Sequence, residues 1–120
     1  QGVKVILSFH DFQATPKLRK LQKIAKKLDS YHPDIIKVVT YARYVEDNLT
    51  CLRVVSIPVY RERLICFAAG VLGKPSRVLA PLFGAPFTYA SLEKGKEAAP
   101  GQLTLEELRE VYRILGAVSE

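Results

Sequence analysis

Apolar and polar positions alternate along the chain with two distinct periods. Short apolar runs rich in β-branched and aromatic residues predict strands, whereas apolar positions three to four residues apart predict helices. The runs typical of strands span residues 3–9, 34–40, 63–69 and 87–92. The helical periods that follow them span about residues 16–29, 45–55, 75–84 and 104–115. Thr104 and Glu107 form a capping-box pattern, which gives the last helix the most explicit start.

Four strand–helix units within 120 residues indicate the α/β fold class. Strands that are apolar almost throughout are typical of a parallel sheet covered by helices, in which both faces are buried. Two architectures have this pattern. A four-stranded doubly wound sheet is complete at this length, whereas a (β/α)8 barrel typically needs ~250 residues, so that this chain supplies about half of it.

The composition is that of a globular domain, with 48% hydrophobic and 25% charged residues, which excludes a disordered or fibrous chain. The longest apolar stretches, such as residues 64–73, are shorter than the ~20 residues of a membrane-spanning helix, and we expect no signal peptide. Cys51 and Cys66 lack metal-ligand spacing, so we expect buried, reduced thiols in a cytoplasmic protein. The chain contains no methionine, which leads us to expect a fragment or a processed piece.

The formal net charge is +6, and most of the excess lies on one face of the first predicted helix. The basic residues of this face are Lys17, Arg19, Lys20, Lys23, Lys26 and Lys27. Such a face can bind nucleic acid or an acidic membrane surface. No aromatic platform or recognised binding motif accompanies it, so a solvated helix face is the favoured interpretation. We therefore expect neither a nucleic-acid nor a membrane partner.

Two residues on predicted strands carry candidate chemistry. Lys37 lies within the second strand, where burial on both faces favours the neutral amine that attacks carbonyl carbons to form a Schiff base. His10 lies at the end of the first strand, near Lys37, where it can move a proton at the carbon next to an imine. The alternatives are a lysine that reaches solvent from a strand end and a histidine that caps a loop.

Two loops add groups that bind anions or hydroxyls. The glycine-containing segment 70–77 runs into a helix start whose backbone amides attract anions, and Arg77 can hold a carboxylate through two parallel hydrogen bonds. The small-residue loop 98–101 is followed by Gln102, a neutral hydrogen-bonding group. Each loop can equally be a turn with one surface side chain.

Four sequence motifs, in this order, resemble those of the type I 3-dehydroquinate dehydratases. The family's S-[YF]-H-[DN]-F strand end corresponds to residues 8–12, its strand lysine to Lys37, its G-x-x-S-R segment to residues 73–77 and its A-P-G-Q loop to residues 99–102. The motifs cover nearly the whole chain and match the C-terminal half of the family. The resemblance implies a (β/α)8 TIM barrel, with residues 1–120 as its fifth to eighth βα units.

This family dehydrates 3-dehydroquinate to 3-dehydroshikimate in the shikimate pathway, through a lysine imine. The resemblance implies that Lys37 forms the Schiff base with the substrate ketone and that His10 is the general base and acid. It implies further that Arg77 holds the substrate carboxylate and that Gln102 hydrogen-bonds its hydroxyl region. No metal or organic cofactor is implied, because the protonated imine itself is the electron sink.

The sequence departs from the family pattern in three places. Ala68 and Ala69 precede Gly70 where many relatives have Ser-Met-Gly, and Ala98 stands where many have a serine that contacts the substrate. The E-x-R strand motif of the family's first half, whose glutamate orients the histidine, has no counterpart here. A half barrel also leaves strand edges unpaired. We therefore expect little activity of the chain alone, and completion by a complementary N-terminal half or by a second copy in a homodimer.

Two other functions fit part of the pattern. A class I aldolase or transaldolase also forms an imine at a barrel lysine, although the H-D-F and A-P-G-Q segments are not expected there. A non-catalytic α/β binding module would use the basic first helix to bind an acidic partner.

Overall fold

Alternating strands and helices build a parallel α/β layer in the computed structural model, which describes residues 2–95 and 101–117. Three strands form one parallel sheet in the order β1-β2-β3, and they are β1 (Ile6–His10), β2 (Ile35–Tyr41) and β3 (Leu64–Ala69). The helices are α1 (Leu18–Asp29), α2 (Asp47–Val55), α3 (Lys74–Leu79) and α4 (Leu105–Leu115). The predicted α/β class is confirmed.

Helices cover one face of the sheet. Side chains alternate between the two faces along each strand, and on the covered face Ile36 and Cys66 belong to a buried core that also contains Leu21 and Ala25 of α1. The amphipathic pattern of α1 follows from this packing, because its apolar stripe lies against the sheet. Its six basic side chains, counted with that of Lys17 just before it, are exposed to solvent.

The opposite face of the sheet, here called the inner face, is open. One row of neighbouring strand positions carries Ser8, Lys37 and Ile65, and the inner-face row nearer the carboxyl ends carries His10, Val39 and Phe67. The expectation of strands buried on both faces is wrong here, since Ile6 is 46% exposed and Lys37 is only half-buried. In a complete barrel, side chains from strands on the opposite side help to fill the interior. The described residues contain only three strands, so the inner face of their sheet stays open.

The predicted fourth strand, residues 87–92, is wrong. Within the described part of the chain this segment joins no ladder, and Ser91 forms one isolated parallel bridge with Thr104. The Ser91 N–H donates to Leu103 and its C=O accepts from Leu105, so these groups are engaged with the start of α4 and not with β3. The described residues therefore contain three strands that pair in a sheet and an apolar segment that joins no ladder.

Proline and capping chemistry set the helix boundaries. The predicted helix 75–84 is shorter than expected, because Pro81 has no N–H to donate to the C=O of Arg77, which accepts from the Thr88 hydroxyl at 2.9 Å. Residues 80–83 continue α3 as a 3₁₀ turn.

The capping box of α4 is confirmed by reciprocal hydrogen bonds between Thr104 and Glu107, at 2.9 and 3.0 Å. The Tyr112 hydroxyl donates to the Val78 C=O at 2.7 Å and so docks α4 onto α3.

Candidate active site

A cavity of about 440 Å³ lies on the inner face, towards the carboxyl ends of the strands. The four residues that the sequence singles out, His10, Lys37, Arg77 and Gln102, all line it. The other lining residues are aromatic or aliphatic, and none of the lining residues in the described part of the chain is a carboxylate. The cavity thus places cationic and hydrogen-bonding groups within apolar walls, which is the usual construction of a small-molecule site.

His10 and Lys37 reach the cavity from neighbouring strands. His10 ends β1 and pairs in register with Val39, whereas Lys37 pairs with Ser8, two residues earlier. The strand geometry separates the two backbone positions by about 7 Å along the strands and about 5 Å across them. Alternation puts both side chains on the inner face, and His10 lies nearer the carboxyl ends of the strands than Lys37 does.

The loop after β1 brings an aromatic ring onto His10. The rings of His10 and Phe12 are nearly parallel, at an angle of 8° with centroids 5.4 Å apart. The Asp11 carboxylate accepts from the N–H groups of Gln13 and Ala14 at 3.0 and 3.1 Å, which closes a tight turn around Phe12. The H-D-F segment therefore works as a unit in which the aspartate shapes the turn and Phe12 stacks on the imidazole.

Tyr89 packs beneath the amine of Lys37. Lys37 Nζ lies 4.5 Å from the centroid of the Tyr89 ring, within the range of a cation–π interaction. Sequence reasoning missed Tyr89 as a site residue. The available signal was an aromatic residue within the apolar run 87–92, which that reasoning assigned to a strand.

Arg77 enters the cavity from α3 and is almost completely buried, at 3% exposure. Its guanidinium carbon lies 4.4 Å from the centroid of the Phe67 ring. Burial lowers the pKa of Arg77, although an arginine remains protonated at neutral pH. A buried, fork-shaped cation is suited to a carboxylate ligand, because the low surrounding dielectric strengthens charge-assisted hydrogen bonds.

A network of buried hydrogen bonds fixes the start of α3, and with it Arg77. The Ser76 hydroxyl accepts from the Ala68 N–H at 2.9 Å and donates to the Gly73 C=O at 3.1 Å. The side-chain oxygen of Asn48 in α2 accepts from the Ser76 N–H at 2.9 Å. A Cβ at Gly73 would lie 1.9 Å from the Ala68 carbonyl oxygen, so only glycine fits there. The G-x-x-S-R pattern thus packs α3 tightly against β3, and sequence reasoning missed the part that Asn48 plays.

Gln102 lines the cavity next to a close contact between two loops. A Cβ at Gly101 would lie 2.2 Å from the Gly70 carbonyl oxygen, and Gly101 has a positive φ of 86°. Glycine is therefore required where the loop before Gln102 crosses the loop after β3. Ala98, the position of the expected missing serine contact, and the first two residues of the A-P-G-Q motif lie outside the described residues.

The two cysteines lie away from the cavity. Cys51 of α2 and Cys66 of β3 are free, buried thiols on the helix-covered side, as the sequence predicts. Their contact raises the pKa of Cys66, as does burial, and it lowers the pKa of Cys51.

No cluster of three or more His, Cys, Asp or Glu residues suited to a metal ion occurs in the ranges 2–95 and 101–117. Within the same ranges no helix is long and apolar enough to cross a bilayer.

Parallel strands whose carboxyl ends border a cavity with a lysine, a histidine and an arginine define the class of the molecule, which is an α/β fold with a candidate site at the carboxyl ends of its strands. The family model described as Type I 3-dehydroquinase matches residues 1–119. The chain therefore belongs to the type I 3-dehydroquinase family, and its fold is that of part of the family's TIM barrel.

Known relatives agree in sequence and in structure. The 3-dehydroquinate dehydratase of Thermococcus onnurineus (strain NA1) is 45% identical over 114 residues, which are 95% of this chain and 50% of that protein. The crystal structure of the Geobacillus kaustophilus HTA426 enzyme superposes with a TM-score of 0.84 at 32% identity, over 98% of this chain and 46% of that one. The Clostridium difficile enzyme, solved with covalently modified comenic acid, gives a TM-score of 0.82 at 28% identity, over 97% and 46% of the two chains. The chain spans about half the length of these relatives.

Proposed function

We propose that residues 1–120 are the C-terminal half of a type I 3-dehydroquinate dehydratase, a lyase that converts 3-dehydroquinate to 3-dehydroshikimate and water in the shikimate pathway. One observation carries this proposal. His10, Lys37, Arg77 and Gln102, which occupy the family's motif positions, line a single cavity. Its volume of about 440 Å³ suits a small organic acid.

Lys37 begins the reaction as a nucleophile. Its amine nitrogen bonds to the ketone carbon of the substrate, the ketone oxygen leaves as water, and the resulting imine carries a proton. The open inner face supports this step, because half-buried Lys37 lines a cavity that admits substrate. The covalently modified comenic acid in the Clostridium difficile relative supports covalent chemistry in the family.

His10 then moves one proton. The imidazole takes the proton from the carbon next to the iminium. The electron pair of that C–H bond forms a C=C bond, and the π pair of the C=N bond moves onto the nitrogen, which gives an enamine. The enamine returns the pair and expels the neighbouring hydroxyl group, which receives the proton from His10 and leaves as water. Hydrolysis of the remaining imine frees the product and Lys37. Imine formation releases one water and hydrolysis consumes one, so the net change is the loss of one water.

Arg77 and Gln102 bind and orient the substrate. The buried guanidinium of Arg77 holds the carboxylate, which fixes the ring of the substrate relative to Lys37. Gln102 lines the same cavity and hydrogen-bonds the hydroxyl region through its amide group.

The N-terminal half of the barrel completes this site. β1 is an edge strand that pairs only with β2 among the described residues, and its neighbour in the chain, Val5, is 46% exposed like Ile6. Because the chain covers 50% of the Thermococcus onnurineus relative, we infer that the further residues of such a relative close this edge. A second copy in a homodimer is the alternative partner. The free, buried thiols support a cytoplasmic location.

The proposal is tested by turnover of the completed barrel. The chain is fused behind the N-terminal half of the Thermococcus onnurineus relative, and formation of the conjugated product is followed by its ultraviolet absorption. Lys37→Arg and His10→Gln should each lower kcat by roughly 10²-fold or more, whereas Lys20→Arg, on the exposed face of α1, should leave it unchanged. Full turnover by the Lys37→Arg variant contradicts the proposal.

A further inference from the structure

Two basic side chains share the cavity, and each lies over its own aromatic ring. Lys37 Nζ lies 4.5 Å from the centroid of Tyr89, and the guanidinium carbon of Arg77 lies 4.4 Å from that of Phe67. Besides Lys37, Arg77 and Tyr89, the titratable groups that line the cavity are His10 and Tyr41, and the described lining contains no carboxylate. Among the described lining residues, the negative face of the Tyr89 ring is therefore the group that lies against the amine of Lys37.

We propose that the ring of Tyr89 binds the positive charge on Nζ of Lys37 and keeps the lysine imine protonated, a role that rests on the proposed Schiff-base function. The electron sink in that reaction is the protonated imine, since a neutral imine accepts an electron pair poorly. The face of an aromatic ring stabilises a cation and does little for a neutral nitrogen. Tyr89 therefore favours the reactive form of the intermediate.

The rings around Tyr89 hold it in this position. Phe87 meets Tyr89 nearly edge-on, at an angle of 83° with centroids 5.6 Å apart, and Phe67 meets it at 59° and 6.4 Å. Edge-to-face pairs are the favoured arrangement of aromatic rings. Tyr89 therefore forms a fixed surface beneath the flexible lysine stem, and this surface is in place before a carbonyl compound binds.

A role for the ring of Tyr89 and a role for its hydroxyl lead to different predictions for the same substitutions. If the ring stabilises the protonated imine, Tyr89→Phe keeps this stabilisation and Tyr89→Leu loses it. If the hydroxyl acts as a proton donor, both substitutions lose it. Replacement of Tyr89 by phenylalanines with increasing fluorination separates electrostatics from packing, because fluorine weakens the negative ring face and changes the ring's shape only slightly.

The test measures imine protonation at Lys37 with glyoxylate, a small aldehyde that carries a carboxylate. Cyanoborohydride reduces protonated imines far faster than neutral ones, so the pH above which labelling falls reports the protonation of the imine. The 120-residue chain is labelled across a pH series, digested, and the labelled fraction of the Lys37 peptide is measured by mass spectrometry. The exposed Lys20 provides an internal reference in the same sample.

We expect Tyr89→Leu to lower the upper pH limit of labelling at Lys37 by about 0.5–1 pH unit relative to Lys20, from the strength of a partly exposed cation–π pair. Tyr89→Phe should retain the limit of the unmodified chain, and the limit should fall stepwise with ring fluorination. Circular dichroism of the fluorinated proteins checks that the fold is kept. An unchanged limit across the fluorinated series overturns the proposal, as does an equal loss in Tyr89→Phe and Tyr89→Leu.

Failure of the proposed function gives a different result. Glyoxylate labelling requires no turnover of 3-dehydroquinate, so a ring-dependent pH limit together with an inactive completed barrel upholds the role of Tyr89 and rejects the dehydratase. An active completed barrel with a ring-independent limit rejects the role of Tyr89 alone.

Discussion

Removal of the Ser76 hydroxyl tests how the site is held in place. Ser76 is fully buried, at 0% exposure, and its hydroxyl joins the Ala68 N–H at 2.9 Å to the Gly73 C=O at 3.1 Å. Ser76→Ala deletes both hydrogen bonds and adds no bulk. The space left by one oxygen is too small for a water molecule, so the Ala68 N–H stays buried without its acceptor.

The loss of stability in Ser76→Ala follows from the two backbone groups that lose their partner, the Ala68 N–H and the Gly73 C=O. A buried backbone donor left unsatisfied costs about 1–3 kcal/mol, and the loss of the bond to the carbonyl adds a smaller amount. We therefore expect Ser76→Ala to lower the free energy of unfolding by about 2 kcal/mol. Because Ser76 lies in the first turn of α3, next to Arg77 in the chain, the loss should also loosen the position of Arg77.

Urea unfolding, followed by circular dichroism, measures this effect. With m of about 1–3 kcal/mol per molar urea, the midpoint should fall by roughly 1 M while m stays constant. Ser30→Ala is the matched control, since the exposed Ser30 hydroxyl donates to the Lys27 C=O at a helix end, and its loss should cost within about 0.5 kcal/mol. Equal costs for the two variants would refute the reasoning.

Three further outcomes are expected. In the completed barrel, Arg77→Lys should raise KM for 3-dehydroquinate roughly tenfold or more and change kcat less, because lysine lacks the planar fork; an unchanged KM would argue against Arg77 as the carboxylate ligand. Thr104→Ala should lower the urea-derived free energy of unfolding by about 1 kcal/mol through loss of the cap of α4, and a cost near zero would show that the cap is redundant. The Thr104 N–H and Lys94 lower the pKa of Glu107 from its ordinary value of 4.5, so its support of α4 is complete above that pH and is lost as the pH falls through the lower folded-state value. Amide exchange of α4 between about pH 6 and 3 should show this loss, and Glu107→Gln should reduce the pH dependence to the part that the Glu110–Arg113 pair contributes, since that pair lowers the pKa of Glu110.

Local patterns were sufficient for most of the fold. The strands β1, β2 and β3 and the helices α1, α2 and α4 appear where the hydrophobic period predicts them, because each buries one continuous apolar stripe. Residues 87–92 have the same apolar character and yet form no ladder. Pairing depends on which distant backbone groups are available, and those of Ser91 are taken by residues 103 and 105. This information is absent from the segment's own sequence.

The site shows the same division between local and distant information. The position of His10 at a strand end and that of Lys37 within a strand can be inferred from period and spacing, and the structure brings both into one cavity. Tyr89 cannot be found in this way, since its contact with Nζ depends on a segment that follows the sheet in the chain and folds back over it. Asn48 is likewise a polar residue within a helix until the fold places its amide against Ser76.

The central claim is that Lys37 forms an imine with 3-dehydroquinate. The direct measurement is borohydride reduction of the completed barrel in the presence of 3-dehydroquinate, followed by peptide mapping by mass spectrometry. We predict one reduced adduct per chain, on the peptide that contains Lys37, and none in Lys37→Arg. An active completed barrel with no adduct at Lys37, or with the adduct on another lysine, would contradict the account.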